Sequence, residues 1–215
     1  MIRRDFLRLT ALAIGGSSIG LVACSGGGDT GNGDTGGTGG GGGGKGGQLV
    51  MGLISAPMSF DPSVAEWGNR LPFYQAVYDT LLLATPEGTI DPYLATEWSY
   101  DDSQTTLTLT IREGVTFSDG EKLDATAVAL SMNRFKEGSG PDAGYMRNVD
   151  TIEAPDATTV VVTFTAAAPA FLNYLPRPAG LVMSPAAVEN ADLPTNPVGS
   201  GPYTLSDSSV PGSEY

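Results

Sequence analysis

Residues 106–111 read Thr-Leu-Thr-Leu-Thr-Ile, and no other stretch constrains the fold as tightly. Leu107, Leu109 and Ile111 alternate with three threonines, the period of two that a half-buried strand requires. Residues 95–100 are also strand-like, and Asp101-Asp102-Ser103 between the two is turn chemistry, because short polar side chains bond their own backbone. The expectation is a hairpin. Ser118-Asp119-Gly120 then turns the chain into Asp124, whose carboxylate suits the N-cap of the helix that follows.

That helix carries Ala125, Val128, Met132 and Phe135 on its inward face and stops near Gly138. Residues 148–154 and 158–165 form a second hairpin across Pro155-Asp156. Val160, Val162 and Phe164 alternate there with Val161, Thr163 and Thr165, so both faces are expected to be covered. Pro169 can start a short helix through Leu175. Upstream, residues 48–54 are an apolar run bounded by Pro57, consistent with a buried strand. A loop with Phe60-Asp61-Pro62 follows. Asn69 is then the expected cap of a helix with Leu71, Tyr74, Val77, Tyr78 and Leu81 on one face, Pro72 being tolerated in its first turn.

The first 24 residues have the organisation of a targeting segment. Arg3, Arg4 and Arg8 precede an apolar run to Ala23, shorter than the roughly 20 residues that span a bilayer. Leu21-Val22-Ala23-Cys24 resembles a lipobox, which makes Cys24 the expected lipidation site, and two acyl chains hold a protein stably at a membrane. Arg3-Arg4 with Phe6-Leu7 also resembles a twin-arginine signal, although Ile2 replaces the usual Ser or Thr, so the export route stays open. Residues 25–47 are Gly-rich with Ser, Asp and Thr. A phosphate-cradling loop needs a strand before it and a helix after it, so the reading is a flexible linker.

Composition removes whole classes of chemistry. Histidine is absent, which excludes Ser-His-Asp and Cys-His catalysis, imidazole bases and every His-bearing metal site. Cys24 is the single cysteine, so no disulfide framework exists. A net charge of −13 argues against nucleic acid as a partner, because that binding rests on Lys and Arg neutralising phosphates. No cofactor is called for, and an enzyme is not expected.

Ordered short motifs carry a resemblance. Ile90, Pro92, Leu94, Ala95 and Trp98 precede the first hairpin. Ile111, Arg112, Gly114, Val115, Phe117, Asp119 and Gly120 follow it, then Leu123, Ala125 and Val128. With Val77-Tyr78-Asp79 and Leu81 upstream and Pro197-Val198-Gly199-Ser200-Gly201-Pro202-Tyr203 downstream, the sequence resembles family 5 of the extracytoplasmic solute-binding proteins. These are the oligopeptide-, dipeptide- and nickel-type receptors of ABC importers. Asp124 stands where the family often has Thr, Ala127 where it often has an acid, and Ser200 where it has Thr.

The resemblance implies an α/β fold, a lobe of the periplasmic-binding-protein-like type II, cluster C, with an extra small subdomain. Residues 48–79 and 190–215 would belong to lobe I and residues 80–189 to the small α/β subdomain. Members are typically more than twice as long, so the second lobe is expected to be absent from this chain, leaving an N-terminal portion. By the same resemblance the backbone after Asp61-Pro62 grips a peptide as an added strand, which maps onto Glu66, Trp67 and Gly68. Tyr145 matches a tyrosine near the ligand in some members. Asp61 and Pro62 are expected to fix that loop, and Asp79 and Asp119 to cap or bridge turns.

The function implied is capture of an oligopeptide or dipeptide outside the membrane and delivery to an ABC permease. The partners are then a small peptide, the permease and the membrane through the lipid anchor. Nickel complexes, opine-like solutes and oligosaccharides stay open as ligands. So do two other readings: a surface lipoprotein serving as an adhesion or structural module, and an inactive truncated fragment.

Overall fold

The computed structural model describes residues 50–66, 68–207 and 209. Its centre is the alternating strand. Strands β3 (Ala95–Tyr100) and β4 (Thr106–Ile111) form the expected hairpin, with Trp98 opposite Leu109 and Tyr100 opposite Leu107. The turn closes through Asp101, whose carboxylate accepts from the amides of Thr105 and Thr106 at 2.8 and 2.9 Å. Strands β5 (Val149–Glu153) and β6 (Thr159–Phe164) form the second hairpin.

The two hairpins join edge to edge. Strand β4 pairs antiparallel with β6, placing Leu107 opposite Val162 and Leu109 opposite Val160, so the sheet order is β3-β4-β6-β5. Leu107, Leu109, Val160 and Val162 are fully buried on one face. Each contributes roughly 1.5–3 kcal/mol by leaving water. The other face is not covered as expected. Val161 and Thr163 are only half-buried and Thr165 is exposed; the β4 residues opposite the first two are Thr108 and Thr106, polar side chains that let this face stay towards solvent.

Helix α2 (Ala125–Glu137) closes the apolar face. Asp124 caps it as expected, accepting from the amide of Ala127 at 3.0 Å, and Ala125, Val128, Met132 and Phe135 point inward. The helix ends at Gly138. The buried hydroxyl of Ser131 accepts from the amide of Met183 at 3.0 Å and donates to the carbonyl of Ala127 at 2.9 Å.

A second cluster of buried residues gathers Phe60, Tyr74, Val77, Tyr78, Leu181, Met183 and Leu193 around helix α1 (Leu71–Val77). Pro72 sits in the first turn as expected, but Asn69 is not the cap. The chain enters through a 3₁₀ turn at Gly68–Arg70, and no side chain caps the helix. Tyr78 donates its hydroxyl hydrogen to the carbonyl of Phe60 at 2.9 Å. Gly199 and Gly201 lie flat against the end of α1. A Cβ at either would run into the backbone of Val77, whose carbonyl accepts from the Gly201 amide at 2.9 Å. This close approach is the physical reason for the Gly-Ser-Gly pattern.

Two further local expectations fail. Residues 50–54 are not a strand, and Val50 and Ile54 are 80% and 87% exposed. A strand needs a ladder, and among the described residues none pairs with this run; Gln48 and Leu49 lie outside them. Pro169 opens a turn, and the helical part is a 3₁₀ turn at Phe171–Tyr174. A small ladder between β1 (Leu82–Ala84) and β2 (Ile90–Pro92) was not foreseen; its members are three residues long, too short for a readable period. The last helix, α3, is Pro185–Val188, and no described helix is long and apolar enough to cross a membrane.

Candidate functional site

The expected ligand loop is built on a buried carboxylate. Asp61 caps the 3₁₀ turn Pro62–Val64, accepting from the amide of Ser63 at 2.9 Å, while its own amide donates to the Ser59 hydroxyl at 3.0 Å. Arg134, on the last turn of α2, grips the same carboxylate with two arms: Nε to Oδ1 at 3.2 Å and Nη2 to Oδ2 at 2.7 Å. Its third nitrogen donates to the carbonyl of Val188 at 3.1 Å.

Burial alone would raise the pKa of Asp61. The Arg134 guanidinium and the Ser63 amide outweigh that and hold it below the ordinary carboxylate range, while Arg134 is pushed up by the same pairing. Asp61 therefore fixes the loop, as expected. Asp61 is buried while 32% of the Arg134 side chain is exposed, so removing one partner costs less than the roughly 3–5 kcal/mol of a fully buried pair.

Beyond Ala65 the loop turns outward. Glu66 and Gly68 are exposed, and an added Cβ at Gly68 would meet only open space. Glu66 pairs with Arg70, whose Nε donates to the carbonyl of Ala56 at 2.8 Å. Trp67 and Cys24 lie outside the described residues. The loop thus has a base clamped by Arg134, and beyond it Glu66 and Gly68 are exposed, Gly68 already opening the 3₁₀ turn Gly68–Arg70.

Tyr145 belongs to a different turn, the 3₁₀ segment Ala143–Met146. Its ring stacks on Tyr174 with centroids 4.2 Å apart and planes 3° from parallel. Burial raises the pKa of its hydroxyl, a hydrogen bond with Asp142 adds to the rise, and Arg177 opposes it. The pair forms one wall of an open cavity of about 450 Å³, with Phe164, Phe171, Arg147 and Asn148 among its other lining residues.

Tyr174 and Arg177 were not legible as site residues, because they reach Tyr145 across the whole β5–β6 hairpin. The two halves of the expected site keep separate polar partners but share a seam. The amide of Gly140, just before the Tyr145 turn, donates to the carbonyl of Ser63 at 3.1 Å.

The two expected bridging aspartates do bridge. Asp79 accepts from Tyr93 and Ser200, and Asp119 accepts from Ser184 at 2.5 Å. No cluster of acidic residues or cysteine among the described residues could hold a metal ion.

Comparison with known proteins gives a consistent result. The family described as "Bacterial extracellular solute-binding proteins, family 5 Middle" matches residues 89–214. The glutathione-binding protein GsiB of Escherichia coli K12 is 34% identical over 137 residues, covering 62% of this chain and 26% of that protein. The chain therefore spans about a quarter of the length of the curated relatives it matches. Among solved structures, a nickel ABC transporter protein from Bacillus halodurans superposes with a TM-score of 0.63 at 31% identity, covering 73% of this chain and 31% of that one. The ABC transporter substrate-binding protein CtaP from Listeria monocytogenes gives 0.64 at 30% identity, with 75% and 34% covered. The architecture is that of the type II periplasmic binding proteins.

Proposed function

Because the chain belongs to the bacterial extracellular solute-binding proteins of family 5, we propose that it serves an ABC importer as substrate-binding component, capturing oligopeptides or dipeptides outside the membrane. It passes them to a permease and catalyses no reaction. The observation that carries the reading is the clamped loop, whose base Asp61 and Arg134 hold and beyond which Glu66 and Gly68 are exposed to an incoming chain. Peptide as the ligand class is supported by the name of the relative GsiB, since glutathione is itself a tripeptide. Tyr145, with Arg177 beside its hydroxyl, supplies a second contact.

Residues 48–79 and 190–215 act as part of one lobe and residues 80–189 as a smaller subdomain; two clusters of buried residues support two units, although Leu181, Met183 and Ala187 pack with the first-lobe residues Phe60, Tyr74 and Tyr78. Binding works by closure: the ligand favours the closed arrangement by its greater affinity for it. Cys24 carries the lipid anchor and residues 25–47 tether the folded part to the membrane.

The test is amide chemical-shift mapping of the full chain with a mixture of unmodified tripeptides at millimolar concentration, which registers weak binding as well as strong. Shifts at residues 66–68 and at Tyr145 are expected. Shifts at these residues with nickel–histidine complexes and none with peptides would replace the peptide reading with a nickel one. Silence with every small solute would leave the adhesive or inactive readings.

A further inference from the structure

Asp61 and Arg134 are 73 positions apart, and neither belongs to the surface offered to a ligand. Buried ion pairs are poor devices for stability alone: an apolar pair of similar volume often does as well or better. A guanidinium fork on a carboxylate does supply direction, since its two parallel bonds fix both distance and plane. The loop needs such direction. Its internal backbone bonds are two long 3₁₀ contacts, Val64 to Asp61 and Ala65 to Pro62, both at 3.2 Å, and the shorter bond from the Ser63 amide, at 2.9 Å, ends on the same Asp61 carboxylate that Arg134 holds.

What holds it from outside is the end of α2. Gly138 and Gly140 pack so closely on Ser63 and Val64 that a Cβ on Gly138 would collide with the Ser63 carbonyl, and one on Gly140 would come within 3.0 Å of it. Arg134 completes this seat and ties it to the Val188 carbonyl.

We propose that Arg134 is the positioning residue of the binding loop, aiming the backbone at Glu66 and Gly68 by clamping Asp61 to the carbonyl of Val188 without touching the ligand itself. The inference rests on the reading that residues 66–68 take the peptide, and its failure can be told apart from the failure of that reading. A lysine at 134 would keep the charge and lose the fork.

The experiment compares the full chain with Arg134→Ala and Arg134→Lys by hydrogen exchange and by tripeptide shift mapping, with and without millimolar guanidinium. In Arg134→Ala, exchange at Ser63, Val64, Ala65 and Gly140 rises at least about tenfold and the tripeptide response at 66–68 weakens, while amides of β4 and β6 keep their protection. Guanidinium, but not sodium chloride, restores both the protection and the response. Arg134→Lys keeps the sheet protected and the loop loose. That variant decides the matter even where alanine unfolds the chain.

A loose loop with an undiminished tripeptide response would reduce Arg134 to a structural residue and overturn the proposal. Gly68→Leu, placed where the fold has open space, tests the underlying reading separately. Its failure to alter the tripeptide response would remove the loop as the site, whatever Arg134 does.

Discussion

Tyr93 donates its phenolic hydrogen to one carboxylate oxygen of Asp79 at 2.6 Å, and the hydroxyl of Ser200 takes the other at 2.8 Å. Asp79 follows α1, Tyr93 lies between β2 and β3, and Ser200 sits in the returning Gly-Ser-Gly segment. One carboxylate thus joins three parts of the chain that are remote in sequence.

Asp79→Ala leaves both hydroxyls unpartnered in a half-buried site. The expected loss is about 1–3 kcal/mol in urea unfolding, with Asp79→Asn milder because it retains an acceptor. Burial and Asp79 together push the Tyr93 hydroxyl from 10.0 up to about 12. A raised pKa of this kind favours the neutral phenol in the folded state. Its stabilisation is complete below the unfolded value of 10.0 and is lost as pH climbs through about 12. Alkaline titration of tyrosine absorbance should show Tyr93 moving part of the way back in Asp79→Ala, burial remaining.

Gly199→Ala and Gly201→Ala force a methyl group into the backbone of Val77. Overpacking of this kind costs about 1–3 kcal/mol, and more where backbone must yield. Gly52→Ala, with no atom within 4 Å of the added carbon, should stay within about 0.5 kcal/mol of the parent. Equal denaturation midpoints for all three variants would contradict the close approach at α1.

Acid should loosen the Asp61–Arg134 clamp. The pKa of Asp61 is lowered on folding, so its contribution is complete above the ordinary carboxylate value of about 3.9 and disappears as pH falls through the lower folded value. Urea midpoints followed from neutral to acid pH should fall less steeply for Asp61→Asn than for the parent, and Asp61→Asn should be the weaker protein at neutral pH.

Leu109→Ala removes a fully buried side chain from the middle of β4, facing Trp98 on one side and Val160 on the other. The expected cost is about 2–5 kcal/mol. Thr110→Ala, on the exposed face of the same strand, should change stability by about 0.5 kcal/mol or less.

Metabolic labelling tests the proposed anchor. In a bacterial host that processes lipoproteins, the parent should incorporate radiolabelled palmitate and partition with membranes. Cys24→Ser should do neither, and a labelled Cys24→Ser protein would remove the anchor from Cys24.

What the sequence determined by itself was local and periodic. The threonine–leucine alternation marked β4 and its buried face, Asp101-Asp102-Ser103 marked the turn, and Asp124 marked the start of α2. In each case the residues responsible lie within a few positions of the element they specify. Motif order, Gly199-Ser200-Gly201 included, carried the family.

The tertiary structure decided the partners. A period of two says that one face of β4 must be covered, but it does not say that β6 lies alongside or that α2 closes the core. Residues 50–54 have the composition of a buried strand and remain exposed, because apolar character describes what a segment would gain from a partner and cannot provide one. The same limit applied to the site. Asp61 could be read as a loop anchor from its place before Pro62. Its counterion, Arg134, and the stack of Tyr145 on Tyr174 exist only where the folded chain brings distant turns together, since side-chain electrostatics and ring stacking act through space and leave no spacing in the sequence to find.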